Sequence, residues 1–299
     1  ADNENYTLKE MLQQPDRKDF EEAMYKEVNH MFDNDVWEKV PRSEMHAHYK
    51  NLWRQGVNVK REQLMLIWSF KRKRHADGLL SKHKARLCCH GGQQQWGVNF
   101  YETYAPVVAW SSVRAMLVMS KLYNLHTRSI DFVIAYPQVE IKADIYLMAP
   151  AGIEINTDGE DLVLKLRKNL YGLKDAGRTW WEHLSAGLEK MGFKQCMADQ
   201  CVWKKDGIVI IVYVDDCLIF GNEKGEVDSI VETLGKIFDI TDEGETIEEY
   251  LGVKINHNTD GSFRMYQPHL LKRIISVIPG MDKANEHLIP ALTTTDLTK

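Results

Sequence analysis

The sequence predicts an α+β fold organised around a β-α-β-β-α-β, ferredoxin-like unit, and three observations lead there. Two short apolar runs, Ile208–Val214 and Cys217–Phe220, lie between Gly207 and Gly221 and are joined only by Asp215 and Asp216, the pattern of two buried strands in a hairpin. Helix-period segments flank that hairpin, Ala176–Met191 before it and Val227–Phe238 after, and strand-like segments, Leu125–Phe132 and Tyr250–Ile255, stand at the two ends. Charge is the third observation. Between Met45 and Gln95 eleven Lys and Arg face only Glu62 and Asp77, an excess of nine positive charges in a chain of net charge −5. Such segregation predicts a basic lobe facing a polyanion.

The elements follow in order. Residues 16–34 read as a helix, with Asp16 as N-cap after Pro15 and with Phe20, Met24, Val28, Met31 and Phe32 at helical spacing. Met65–Phe70 and Lys84–Cys89 read as strands of a basic hairpin turning at Asp77-Gly78. Trp53 and Trp68, near those charges, are placed either to stack on bases or to fill the core. A loop with several aromatics runs from Gly91 to Pro106, and Ser111 or Ser112 caps a helix reaching about Tyr123. Gly192 stops the helix before the hairpin, and Val227–Phe238 turns Ile230, Val231, Leu234 and Ile237 to one face.

With 299 residues, 44% of them apolar, the chain is long enough for a sizeable core in more than one lobe. No charged-then-apolar leader is evident, and the longest apolar run falls far short of the roughly 18 residues of a membrane helix. The expectation is an intracellular chain with no membrane partner. Five cysteines without a repeating framework predict reduced thiols, and Cys88-Cys89-His90 has no CxxC partner that would make a zinc site.

In the split β-α-β-β-α-β topology the first strand lies beside the third. The C-terminal end of Leu125–Phe132 therefore adjoins the hairpin turn, which brings Asp131 to Asp215 and Asp216. Three carboxylates at one strand end repel one another unless a cation intervenes. Their oxygen donors suit two divalent ions, Mg²⁺ or Mn²⁺. Two such ions clamp an in-line phosphoryl displacement.

Tyr213-Val214-Asp215-Asp216 resembles the catalytic signature of reverse transcriptases. The wider similarity is to the copia-type LTR retrotransposon enzyme: Lys84-Ala85-Arg86-Leu87, then Glu102-Thr103-Tyr104-Ala105-Pro106-Val107-Val108, then Leu170-Tyr171-Gly172-Leu173-Lys174 with Arg178 and Trp180, and finally Tyr250 to Ile255 with Gln267. Corresponding blocks extend from about Pro15 to about Pro290. The resemblance implies an RNA-directed DNA polymerase with a right-hand fold: an N-terminal helical extension at 1–44, fingers at 45–124, palm at 125–148 and 170–255, an insertion at 149–169, and a partial thumb at 256–299. It implies Asp131, Asp215 and Asp216 as catalytic metal ligands and Tyr136 as the aromatic gate that excludes a ribose 2′-OH. The amides of Val133, Ile134 and Ala135 would face the triphosphate, with Lys84 and Arg86 as its cations. Leu251 and Gly252 resemble the primer-gripping turn, and Lys236 is a candidate general acid on pyrophosphate. Asp175 stands where the family has a nucleotide-positioning Gln, His90 where it has Lys, and Pro137-Gln138 where it has Leu-His. Implied partners are an RNA or DNA template with its primer, dNTPs, and the ribonuclease H and integrase regions of a polyprotein, in a cytoplasmic particle or the nucleus.

Two other classes compete. A derivative that only binds nucleic acid would keep the basic lobe but has no use for the triad or Tyr136. A nucleotide cyclase shares the palm topology, but its Gly-Gly-Asp turn is missing here.

Overall fold

The computed structural model describes residues 5–74, 80–155 and 158–278. Described residues through Ile247 form one compact unit, and Glu248 onward belongs to a second. The first unit runs β1 (Asn5–Tyr6), α1 (Leu8–Met11), α2 (Arg17–Asp33), β2 (Trp37–Pro41), α3 (Arg42–Arg54), β3 (Leu66–Arg74), β4 (Leu80–Cys89), α4 (Trp110–Leu122) and β5 (His126–Phe132). It continues with β6 (Tyr146–Leu147), β7 (Leu162–Leu166), α5 (Ala176–Lys190), β8 (Lys194–Gln195), β9 (Val202–Lys205), β10 (Ile208–Tyr213), β11 (Asp216–Gly221), α6 (Lys224–Gly235) and β12 (Ile240–Gly244). The second unit holds β13 (Glu249–Tyr250), β14 (Val253–His257), β15 (Phe263–Tyr266) and α7 (Pro268–Val277).

The central sheet has the order β12-β5-β11-β10-β9-β8. Its first four strands give the 4-1-3-2 order of the split βαβ motif, every adjacent pair antiparallel. The fourth strand is corrected: Ile240–Gly244 occupies that edge, whereas Tyr250–Ile255 contributes β13 and β14 to the separate β13-β14-β15 sheet. Ile-Thr-Asp-Glu-Gly lacks the apolar run that marks a strand in sequence. An edge strand with a register shift between Asp242 and Gly244 does not need one. Both helices of the motif cover one sheet face. Trp180, Leu184 and Leu188 of α5 and Val227, Ile230 and Leu234 of α6 bury Ile130, Phe132, Ile210, Val212, Cys217 and Ile219. Burying such side chains contributes roughly 1.5–3 kcal/mol each, which fixes β5, β10 and β11 before any functional group is considered.

The basic hairpin is longer than its apolar runs predict, β3 and β4 pairing from Leu66↔Cys89 to Arg74↔Leu80. Its expected turn at Asp77-Gly78 lies outside the described residues. One face carries Leu66, Trp68, Phe70, Ala85, Leu87 and Cys89 into a core shared with Phe20, Met24, Val28 and Met31 of α2. Trp68 is therefore a core residue, its Nε1 donating to the Ala151 carbonyl at 2.9 Å, while Trp53 on α3 is exposed. Asp16 stands at the N-cap of α2 without capping it. Its carboxylate instead accepts from Arg72 at 2.6 and 2.8 Å and meets His83 Nε2 at 2.7 Å, tying the helix start to the hairpin. The β2-β7-β6 sheet, α3, β8 and β9 had no counterpart in the sequence reading. All five cysteines are free.

Candidate active site

Register places the first two carboxylates. Asp216 is the Cα partner of Asp131, and Tyr213 pairs with Asp216 across the hairpin. Directly opposed residues share a face, so Asp131, Asp216 and Tyr213 stand on the sheet face opposite the Ile130–Cys217 layer that α5 and α6 cover. The turn is corrected by one residue: it is Val214-Asp215, and Asp216 opens β11. Val214 has φ +53°, the positive first position of a two-residue hairpin turn, where a β-branched residue is strained. Two bonds hold that shape. Trp180 Nε1 of α5 donates to the Val214 carbonyl at 2.8 Å, and the Phe132 amide of β5 donates to the Asp215 carbonyl at 2.7 Å. Strain of this kind persists only where the surroundings over-determine it.

Burial pushes the Asp215 carboxyl up, the charge of Asp131 pushes it further, and Arg86, the Tyr171 hydroxyl and Lys84 pull it back. Burial likewise raises Asp131, with Glu243 adding to it and Lys73 and Lys84 opposing. Asp215 thus feels the charge of Asp131, and both feel the cations of the basic hairpin. Asp215 Oδ1 is buried with no hydrogen-bond partner, an orphaned hard oxygen donor of the kind a divalent cation satisfies. Among the described residues no three His, Cys, Asp or Glu groups gather tightly enough to form a metal cluster. The topology brings the three aspartates to one strand end, but they do not close into a ready set of ligands.

The cations lie on one face of the basic hairpin. Lys71 pairs with Lys84, Lys73 with Lys82 and Ser69 with Arg86, so these residues share the side away from the α2 core. Arg86 packs its guanidinium over the Tyr171 ring at 4.7 Å. Tyr171 in turn meets Tyr136 with ring centroids 4.8 Å apart. Tyr136 opens a short 3₁₀ turn, Tyr136–Gln138, and burial and the Asp215 charge raise its hydroxyl. Of the three expected amides, that of Val133 is already engaged, donating to the Asp239 carbonyl at 2.9 Å. Ile134 has φ +49°.

Other expected residues lie apart. Asp175 takes the N-cap position of α5 without capping it and accepts from Gln94 Nε2 at 3.4 Å, its carboxyl raised by burial. Lys236 is exposed at the C-cap of α6. Leu251 and Gly252, with φ +50° and +74°, form the two-residue turn between β13 and β14 in the second unit. Sequence reading gave no separate role to Lys73, Tyr171 or Trp180. The strand register would have found Lys73, two residues from Lys71 on the same face. No local pattern signals the contacts of Tyr171 and Trp180, which join segments distant in sequence.

Comparison with known proteins adds to this geometry. The family described as "Reverse transcriptase (RNA-dependent DNA polymerase)" matches residues 51–293. The chain is 29% identical over 280 residues to the retrovirus-related Pol polyprotein from transposon TNT 1-94 of Nicotiana tabacum, covering 92% of this chain and 20% of that protein. It is 31% identical over 258 residues to the corresponding polyprotein from transposon RE1 of Arabidopsis thaliana, covering 84% and 16%. A yeast relative, the transposon Ty1-ER2 Gag-Pol polyprotein of Saccharomyces cerevisiae, is 28% identical over 254 residues, covering 81% and 13%. The chain spans a fifth or less of the length of these relatives.

Proposed function

Since the chain belongs to the reverse transcriptase (RNA-dependent DNA polymerase) family, we propose that it is the polymerase portion of a copia-type retrotransposon polyprotein, extending a primer on an RNA or DNA template. One observation carries this reading: Asp131 and Asp216 stand opposed in register beside Asp215, whose buried oxygen has no partner, within the field of Lys84 and Arg86. In this reading the central sheet with α5 and α6 is the palm, the β3–β4 hairpin belongs to the fingers, residues 256–299 begin a partial thumb, and the Leu251-Gly252 turn grips the primer.

The chemistry is attack of the primer 3′-oxygen on the α-phosphorus of a dNTP, forming the new phosphodiester as the bond to pyrophosphate breaks. Two Mg²⁺ or Mn²⁺ ions held by Asp131, Asp215 and Asp216 would supply Lewis acidity at the attacking and leaving oxygens. Arg86 presents a guanidinium able to grip phosphate bidentately, with Lys84 as a second positive charge. The Tyr136 ring limits space at the sugar 2′ position and so favours deoxynucleotides. Ile134 and Ala135 offer their amides to the triphosphate, while Lys236, exposed at the C-cap of α6, is the candidate for proton donation to pyrophosphate. Asp175 stands at the substrate-binding position of the family's Gln, its carboxyl accepting from Gln94 at 3.4 Å. The template–primer, dNTPs and further polyprotein regions, ribonuclease H and integrase among them, are the partners this reading assigns, in a cytoplasmic particle or the nucleus. No helix among the described residues is long and apolar enough to cross a membrane.

A chain that only bound nucleic acid would leave the orphaned Asp215 oxygen and the strained turn without a use. Primer extension by the purified chain with Mg²⁺ or Mn²⁺, on matched RNA and DNA templates, is the direct test. Salt-sensitive binding with no extension on either template overturns the polymerase reading.

A further inference from the structure

The Leu170–Lys174 block does more than connect two parts of the first unit. The Cys89 amide, at the end of β4, donates to the Tyr171 carbonyl at 2.7 Å. Gly172 follows with φ +89°, and a Cβ there would stand 2.2 Å from the Cys89 carbonyl oxygen. The backbone of Tyr171 is thus clamped to the strand that carries Arg86. Its side chain joins two further groups of the site, with Tyr136 against its ring and Arg86 over its π face.

We propose that Tyr171 is the positioning residue of the nucleotide site, its ring orienting the Arg86 guanidinium and buttressing the Tyr136 gate. The physical reason lies in what orients Arg86. Among the described residues Arg86 forms no ion pair. A carboxylate partner would fix the guanidinium but neutralise it and occupy its N–H edge. An aromatic face orients the same group through its quadrupole and leaves the N–H edge and the charge available to an anion. The same ring stops Tyr136 from tilting away from the sugar. Pre-set geometry of this kind lowers the ordering cost of binding and of reaction. The inference rests on the assignment of Tyr136 and Arg86 to the incoming nucleotide.

The test uses the whole chain on an RNA template with a DNA primer, measuring KM for dNTP, kcat, and the preference for dNTP over the matching rNTP, with thermal melting alongside. Tyr171→Leu is expected to raise KM about tenfold with a smaller change in kcat, and to lower sugar preference about tenfold. Tyr171→Met, which fills the volume without a π face, should behave as Tyr171→Leu does. Tyr171→Phe, which restores the ring, should recover most of both losses. A merely structural role would lower melting temperature and kcat without touching sugar preference. The inference is overturned if Tyr171→Leu and Tyr171→Met keep KM and preference within about twofold, or if Tyr171→Phe is no better than they are. Tyr136→Ala separates the two levels. If it keeps sugar preference, the gate assignment fails. If it loses preference while Tyr171→Leu does not, only the role of Tyr171 fails.

Discussion

Two antiparallel hairpins bring the opposite charges of the candidate site, and they are secured in opposite ways. The acidic one, β10–β11, lies inside a six-stranded sheet, with β9 on one side and β5 on the other, and its turn hangs on bonds from Trp180 and Phe132. The basic one, β3–β4, ends its sheet at β4. Side chains from α2 and its start help to fasten it: Glu27 accepts from the Leu87 amide at 3.2 Å on the open edge, and Asp16 binds Arg72 and His83. The difference follows from electrostatics. Adjacent carboxylates repel, so they hold position only in a backbone that core packing and ladder bonds already determine. Cations that are to grip a phosphate, as the proposed reading has them, need their front face open, so their anchorage must come from behind. The Glu27 carboxyl, raised by its burial, shows what that anchorage costs locally.

The sharpest break in the comparison is to remove charge from the acidic hairpin. Asp215→Asn should abolish primer extension, by on the order of 10³-fold, because several kcal/mol of charge stabilisation is lost from the transition state. Folding should survive, since the buried oxygen loses a repulsion rather than a partner. Asp216→Asn should weaken metal affinity less than Asp215→Asn. Mn²⁺ titration followed by electron paramagnetic resonance checks the ranking, and the reverse order refutes it.

Where the basic hairpin meets the Leu170–Lys174 block, Gly172→Ala adds a methyl against the Cys89 carbonyl in a left-handed conformation. A loss of about 3 kcal/mol is expected, read by urea denaturation, and an unchanged midpoint would mean the clamp is soft. A smaller effect is expected behind the hairpin. Arg72 holds the Asp16 carboxyl well below the ordinary carboxylate range. Because its folded-state value is depressed, the stability it contributes is present above the unfolded carboxylate range and is lost as pH falls below it. Asp16→Asn should therefore cost about 2 kcal/mol at neutral pH, less than a fully buried pair because both side chains keep some water. The gap to the parent should close as pH falls below about 3. A gap that persists there would assign the effect to packing.

The contrast between the hairpins also explains what was legible in the sequence. Apolar runs revealed β10 and β11, and the order of segments was enough to bring Asp131 to Asp216, because topology fixes strand neighbours without side-chain detail. The edge strand β12 escaped, since Ile-Thr-Asp-Glu-Gly shows no apolar period and gains its place from pairing with β5. Asp16 was legible as a helix start but not as the partner of Arg72, a residue 56 positions away. The one-residue error at the turn has the same origin. Asp is the residue expected in a turn and Val is not, and what holds Val214 there comes from distant segments, the Trp180 bond 34 positions away among them.

That turn supplies the smallest and most discriminating change. Val214→Gly removes the left-handed strain of a β-branched residue, worth about 1–2 kcal/mol. It also loses the half-buried side chain that packs against the α5–α6 core and frees the unfolded chain, together of similar size. Net stability should therefore move by less than about 1 kcal/mol. Extension should nonetheless fall about tenfold, because a glycine turn no longer confines the Asp215 carboxylate to one place, and small misplacements of reacting groups are costly. Asp215 depends on this confinement in a way Arg86 does not, since Arg86 is oriented through a side-chain contact and Asp215 through the backbone of its own turn. Melting and primer-extension assays on the same preparation separate the two effects. A variant that melts and extends like the parent would show that the strain at Val214 is incidental to the site.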